Sequence, residues 1–179
     1  MYFPKLTILN KSKLMNEYLI KQFDNWLASQ SEMYTDYLNP LEFIEDCGIN
    51  KKLGLSVFAL SSSDKLFKGE KTTPLLRIKY IVDCPFCNGN VKTYYDQNNI
   101  SNFEIECQED YCEPFNPSDH PERINIFFEL LDEPIIKDDD ILQIYEKKSI
   151  SPLTAADEDI RSDDLEELFW KAEEGKIFE

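Results

Sequence analysis

Residues 84–112 read CPFCNGNVKTYYDQNNISNFEIECQEDYC and contain four of the five cysteines in this chain of 179 residues. The cysteines form two pairs, Cys84 with Cys87 and Cys107 with Cys112, separated by an interval that is rich in β-forming residues. Two closely spaced pairs of this kind can place four thiolates around one tetrahedral ion, as in structural zinc sites. The pattern therefore predicts one Zn²⁺ ion held by these four cysteines.

The first pair has a competing interpretation. Cys84-Pro85-Phe86-Cys87 also resembles the active-site motif of glutaredoxins, in which a helix N-terminus activates the first thiol. Here a turn-forming Asn88-Gly89-Asn90 and the β-prone residues 91–95 follow the motif in place of that helix. We therefore expect metal binding in preference to redox chemistry. Four thiolates leave a zinc ion no open position for water, so the predicted zinc is structural.

The residues outside this cluster give no pattern typical of an enzyme. Cys47 falls beside Phe43 and Ile44 on the apolar face of a predicted helix, and we expect it to be a small buried hydrophobe. The only histidine, His120, lies in a proline-rich stretch and is expected to be a loop residue at the surface. The sequence contains no GxSxG, HExxH or Walker-type phosphate loop, so we predict a protein without enzymatic activity.

The sequence before the cysteines predicts three helices. Apolar residues recur every four positions over residues 14–28, which is the stripe of an amphipathic helix. Asn39 is a predicted N-cap for a second helix that ends at Gly48, and Asn50 is a predicted cap for a third helix that runs to about residue 60. Two short helices joined at Gly48 indicate a helix-turn-helix.

A strand-like alternation over residues 75–82 follows these helices, and residues 6–9 are a candidate edge strand. Three helices followed by a strand are the order expected of a winged helix, so residues 1–82 are predicted to form a winged-helix-like domain. Five lysines lie where such a domain contacts phosphates: Lys51, Lys52, Lys65, Lys68 and Lys71. An ordinary solvated face explains these lysines better than a nucleic-acid contact does.

The rest of the chain divides into a ribbon and a tail. Residues 83–135 are predicted to form an antiparallel β zinc ribbon, with strands at 91–95, 103–107 and 124–130. Residues 136–179 are predicted to form an acidic tail, with a linker at 149–156 before an amphipathic helix. The apolar residues of that helix are a candidate partner-binding surface: Leu165, Leu168, Phe169 and Trp170. The predicted fold class is therefore α+β.

The charge of the chain favours basic partners. The sequence has 35 acidic and 19 basic residues, a formal net charge of −16, and the whole excess lies beyond residue 74. A field of this sign repels phosphate backbones. No apolar run approaches the roughly 20 residues of a membrane helix, and no basic segment followed by an apolar run opens the sequence. We expect a cytoplasmic protein with no membrane partner.

The run from Leu76 to Cys87, in which a wing strand leads into the first cysteine pair, resembles proteins that join a winged helix to a zinc ribbon. Over residues 14–131 the architecture is similar to the large-subunit core of the general transcription factor E family, although the C-x4-C pair departs from it. In that family both modules serve mainly as docking surfaces within a transcription assembly, and the resemblance implies a comparable use here.

The leading hypothesis is therefore a non-catalytic adaptor or accessory subunit that binds a protein partner within a larger intracellular complex. One alternative is a winged-helix regulator that binds DNA through the N-terminal domain. Another is a non-catalytic subunit that completes the active site of a partner enzyme.

Overall fold

The computed structural model describes residues 1–11, 15–67, 73–137, 142, 145 and 150–157. In these residues the chain is a mixed α+β protein in which helices pack on an antiparallel sheet of four strands. The helices are α1 (Thr7–Lys11), α2 (Glu17–Ser29), α3 (Pro40–Cys47), α4 (Lys51–Ser61) and α5 (Asp64–Phe67). The strands are β1 (Leu76–Asp83), β2 (Asn90–Tyr94), β3 (Ile124–Leu130) and β4 (Leu153–Thr154).

Local capping signals fix α3 and α4. The side chain of Asn39 accepts a hydrogen bond of 3.0 Å from the backbone N–H of Leu41, and Asn50 accepts one of 3.0 Å from Lys52. Gly48 ends α3 in the left-handed conformation, with φ 62° and ψ 37°, which glycine adopts without a Cβ penalty. The predicted caps and the predicted turn between these two helices are therefore confirmed.

A second glycine lets α3 and α4 approach closely. A Cβ atom at Gly54 would overlap the Cγ1 atom of Ile44 and come within 2.9 Å of its Cδ1 atom. Val57 and Leu60 of α4 are buried in the core, whereas Leu53 is 38% exposed. Leu53 lies in the first turn of α4, and the buried part of the helix begins one residue later, at Gly54.

Aromatic rings join the helices to the sheet. The Phe23 ring of α2 lies 5.1 Å from Phe43 of α3 and 4.9 Å from Phe58 of α4, centroid to centroid, and both pairs are edge-to-face. Phe58 in turn lies 5.0 Å from Phe128 of β3. Such pairs contribute about 0.5–1.5 kcal/mol each beyond the burial of their area.

The sheet has the order β2-β1-β3-β4, so β1 is an inner strand that pairs with both β2 and β3. Its pairing with β3 runs from Leu76 opposite Leu130 to Val82 opposite Ile124. Alternate residues of β3 are buried, as expected for a strand that is covered on one face, whereas β1 is buried at four consecutive residues, 79–82. Because β1 ends at Asp83, it delivers the chain directly to Cys84.

The predicted edge strand at residues 6–9 is wrong, because Pro4–Leu6 forms a 3-10 turn that leads into α1. Proline suits the first position of a helical turn, and Leu6 and Leu9, three residues apart, are both buried. The preceding backbone is held by the buried carboxylate of Asp24. That carboxylate accepts hydrogen bonds of 2.8–2.9 Å from the N–H groups of Tyr2 and Phe3.

The predicted linker at residues 149–156 is also wrong over the described residues 150–157. Leu153 is 1% exposed and pairs with Ile126, which makes β4 the outer strand beside β3. The Asn39 side chain, besides capping α3, donates a hydrogen bond of 3.0 Å to the carbonyl of Ile150. The sheet and its hydrophobic core therefore run across both boundaries predicted from the sequence, after residues 82 and 135.

Candidate metal centre

The first cysteine turn joins β1 to β2. The N–H of Cys84 donates a hydrogen bond of 2.8 Å to the carbonyl of Gly89, and the N–H of Asn88 donates one of 2.9 Å to the carbonyl of Cys84. Asn88 has φ 60°, a left-handed conformation that asparagine tolerates better than most residues. The turn therefore brings Cys84 and Cys87 to the same end of the sheet.

Backbone groups of this turn are aimed at sulfur. The N–H of Gly89 lies 3.4 Å from Sγ of Cys87, and a Cβ atom on Gly89 would lie 3.3 Å from the same sulfur. Burial raises the pKa of Cys84, but hydrogen bonds from the backbone of Cys87 and Phe86 and from neighbouring thiols outweigh it and lower that pKa to about 7. The turn thus stabilises the thiolate form of Cys84, which is the form that binds metals.

The second cysteine turn spans Cys107 and Cys112, where the N–H of Cys112 donates a hydrogen bond of 3.0 Å to the carbonyl of Glu109. The strand predicted at 103–107 is wrong, because the pairing there is a single bridge between Ile105 and Phe115. Beyond that bridge, on the side away from the cysteines, side-chain hydrogen bonds take the place of a ladder. Ser101 bonds both backbone groups of Phe103, and Asn116 bonds the carbonyl of Asn102.

The two turns converge. The four sulfur atoms of Cys84, Cys87, Cys107 and Cys112 all lie within 4.8 Å of one another, and those of Cys87 and Cys107 are 3.6 Å apart. Zn–S bonds of about 2.3 Å in a tetrahedron place sulfurs about 3.8 Å apart, so the cluster has the size of a single four-coordinate site. Cys84 is fully buried and the other three are partly buried. These cysteines can hold one metal ion.

The electrostatics of the cluster also suit a cation. Burial and the neighbouring thiol groups raise the pKa of Cys112, since thiolates packed together disfavour one another's charge. The pKa of Tyr111 is also raised, first by desolvation and then by the charges of Glu109, Cys87, Cys112 and Cys107. A metal ion at the centre would reverse this mutual repulsion and hold all four sulfurs as thiolates.

The remaining cysteine and the histidine lie outside the cluster. Cys47 is half-buried, its Sγ lies 3.9 Å from the hydroxyl of Tyr145, and burial raises its pKa. His120 is partly buried in the loop before β3, with Nδ1 3.4 Å from a carboxylate oxygen of Glu122 and its ring 6.0 Å from that of Phe115. Neither residue joins the four sulfurs.

The structure describes only part of the other predicted sites. Lys51 and Lys52 are exposed in the first turn of α4, and Lys65 lies within α5. The other two lysines and the apolar residues of the predicted tail helix lie outside the described residues: Lys68, Lys71, Leu165, Leu168, Phe169 and Trp170. In the described part of the chain no helix combines the length and the apolar character needed to cross a bilayer.

Two exposed aromatic side chains that accompany the cysteines were not predicted from the sequence. Phe86 is 53% exposed and Tyr111 is 74% exposed, and each immediately precedes the second cysteine of its pair. Their exposure could have been predicted from their position between two paired cysteines. A side chain inside so tight a turn has little room to fold back into the hydrophobic core.

Comparison of the chain with protein-family models, curated proteins and solved structures found no match. The geometry of the cysteine cluster therefore carries the functional argument.

Proposed function

We propose that this protein is a non-catalytic adaptor, or accessory subunit, whose cysteine cluster holds one structural Zn²⁺ ion and which binds a protein partner. The observation that carries the proposal is the convergence of four sulfurs from two separate turns within 4.8 Å. Thiolates select soft or borderline metals, and four of them in this compact arrangement suit zinc.

A closed shell of four thiolates has a structural role. It leaves no site where the metal could bind and activate water, so the ion would fix the two turns to the end of the sheet without taking part in a reaction. β1 runs from the helical core directly into Cys84, so a bound ion would tie residues 107–112 to the central strand of the sheet. The helical part and the cysteine turns would then act as one unit, because β1 belongs to the same sheet as β2 and β3.

The charge favours a protein as the partner. The net charge of −16 opposes association with nucleic acid and favours basic protein surfaces. The apolar residues Leu165, Leu168, Phe169 and Trp170 of the predicted acidic tail remain part of this proposal as a second binding segment.

The DNA-binding alternative has less support. Lys51, Lys52 and Leu53 are exposed, but every residue of α4 from Gly54 to Ser61 is buried. A recognition helix needs a solvent-facing side several turns long to read the major groove. The exposed lysines could make phosphate contacts only from one end of the helix.

The remaining alternative is a non-catalytic subunit that completes a partner enzyme. It predicts enzymatic activity that appears only when the chain is mixed with a co-purified partner.

Two measurements test the proposal. Elemental analysis of the full chain purified without chelators should give about one zinc per chain, and chelation should lower the melting temperature. Affinity purification from the native source, followed by mass spectrometry, should recover a protein partner with the full chain and less of that partner with the truncation 1–157, which lacks the predicted tail helix. That truncation keeps β4, which a cut at residue 150 would remove.

Two results would contradict the proposal. Absence of metal with four freely titratable thiols overturns the zinc site. Recovery of nucleic acid in place of protein overturns the adaptor function.

A further inference from the structure

We propose that the surface formed by the two cysteine turns docks a segment rich in lysine and arginine in a partner protein. This cysteine-turn face consists of Phe86, Tyr111, Glu106, Glu109, Asp110 and Glu113. The inference rests on the proposed function, because it names the surface and the partner chemistry of the adaptor.

The first observation is the pair of exposed rings. Phe86 and Tyr111 each lie inside a turn whose two ends carry clustered sulfurs, so a bound metal would fix the backbone that carries both rings. The sulfurs of their neighbours Cys87 and Cys112 belong to the same cluster, which places the two rings on adjoining turns. Rigid exposed aromatics are typical of binding surfaces, because they contribute contact area with little loss of side-chain entropy.

The second observation is the charge around the rings. Glu106, Glu109, Asp110 and Glu113 are all exposed, and each lies within two residues of a cysteine of the cluster. Within the described residues none of these four carboxylates forms an ion pair. Four thiolates around Zn²⁺ carry a further net charge of about −2, so metal binding would leave the face negative.

Four basic side chains of the sheet and its ends have contacts of their own, and among them Lys92 of β2 lies 5.0 Å from the ring of Tyr94. Arg77 pairs with Glu129 at 2.6 Å, and Lys79 donates a hydrogen bond of 3.1 Å to the carbonyl of Asp36. Arg123 donates a hydrogen bond of 2.5 Å to the side chain of Asn88, on the β3 side of the first cysteine turn. Within the described residues none of these cations forms an ion pair with an acid of the cysteine-turn face.

These two observations select a single kind of occupant. Guanidinium and ammonium groups stack on aromatic faces and pair with carboxylates, so a basic peptide segment satisfies both the rings and the acids. Nucleic acid could stack on the rings, but the same carboxylates would repel its phosphates. A purely apolar partner would leave the carboxylates partly desolvated and unpaired.

The test uses the zinc-loaded full chain and a fluorescein-labelled peptide of nine alternating arginine and lysine residues, with binding followed by fluorescence anisotropy at physiological salt. Glu109→Gln/Glu113→Gln is compared with Glu32→Gln/Asp36→Asn, which removes the same charge from exposed acids outside the face. Tyr111→Ser is compared with Tyr18→Ser, whose tyrosine is exposed at the start of α2. We expect each face variant to weaken binding about fivefold or more and each control to change it by less than about twofold.

Equal weakening by face and control variants would show attraction to diffuse charge and overturn the docking site. Tighter binding of a labelled oligothymidine than of the basic peptide would overturn the choice of partner. Zinc content and melting temperature are measured for every variant, so loss of the metal is detected separately. A chain that binds one zinc and recovers a partner, yet shows no dependence on the face, refutes this inference and leaves the proposed function standing.

Discussion

The sulfur atoms of Cys87 and Cys107 lie 3.6 Å apart, although Cys87 belongs to the hairpin between β1 and β2 and Cys107 to a separate, irregular loop. The second turn is attached to the described sheet by little regular pairing of its own, since one bridge between Ile105 and Phe115 stands beside it. A metal bound by the sulfurs would therefore add a second attachment to the one that Phe115 makes in the hydrophobic core.

Replacing Cys107 by serine should abolish stoichiometric zinc binding. The variant loses one thiolate from the shell, and we expect zinc affinity to fall by at least about 100-fold, the upper end of the loss caused by altering an outer-shell partner. Competition with a chromophoric chelator measures this change. The matched control is Cys47→Ser, which alters the cysteine outside the cluster and should retain one equivalent of zinc. Full zinc retention by the Cys107 variant would contradict the site.

Leu153→Ala should destabilise the protein by about 2–5 kcal/mol, because it opens a cavity where β4 packs beside β3. Urea unfolding of the zinc-loaded protein measures the loss of free energy. Ile135→Ala, at a residue 58% exposed, should change stability by less than about 0.5 kcal/mol. Equal effects of the two substitutions would mean that residues 150–157 act as a dispensable linker.

Asp24→Asn should destabilise by about 1–3 kcal/mol, since an amide presents an NH₂ group to backbone donors that need an acceptor. The carboxylate now receives hydrogen bonds from the N–H groups of both Tyr2 and Phe3. Hydrogen exchange should also become faster at these two amides. Asp36→Asn, at an exposed aspartate, serves as the control. It should leave both the free energy of unfolding, measured in urea, and the exchange rates of these two amides unchanged.

Gly54→Ala should destabilise the protein even though alanine favours helices by about 1 kcal/mol over glycine. Its methyl group would overlap Cγ1 of Ile44, and such overpacking costs about 1–3 kcal/mol. The second substitution Ile44→Ala removes the overlapping atom, so the double variant should lose less stability than the two single changes added together. Stabilisation by Gly54→Ala alone would contradict the close approach of α3 and α4.

The sequence predicted features whose causes are local. The caps at Asn39 and Asn50 and the left-handed turn at Gly48 depend on hydrogen bonds and backbone preferences within a few residues, and they lie where predicted. The cysteine cluster was predictable for a related reason. Each pair is brought together by a tight turn, and only the meeting of the two pairs requires distant parts of the chain.

Features that depend on distant partners were missed. Residues 6–9 read equally well as a strand or a short helix, and the burial of Leu6 and Leu9 in the core favours the helix. Leu153 stands in a stretch of serine, proline, threonine and alanine that is typical of a linker, and only β3 makes it part of a strand. The strand predicted at 103–107 is absent because only Ile105 finds a backbone partner, in Phe115, and one bridge does not make a β-ladder.

The cysteine turns also lie within the long connection between β1 and β3, which covers residues 84–123. The ends of so long a loop must meet before the two inner strands can pair, and the entropy lost in that closure slows folding. An ion captured early by the four sulfurs would join residue 84 to residue 112 and leave a much shorter segment to close. The same ion would then raise the folding rate of the central sheet as well as its stability.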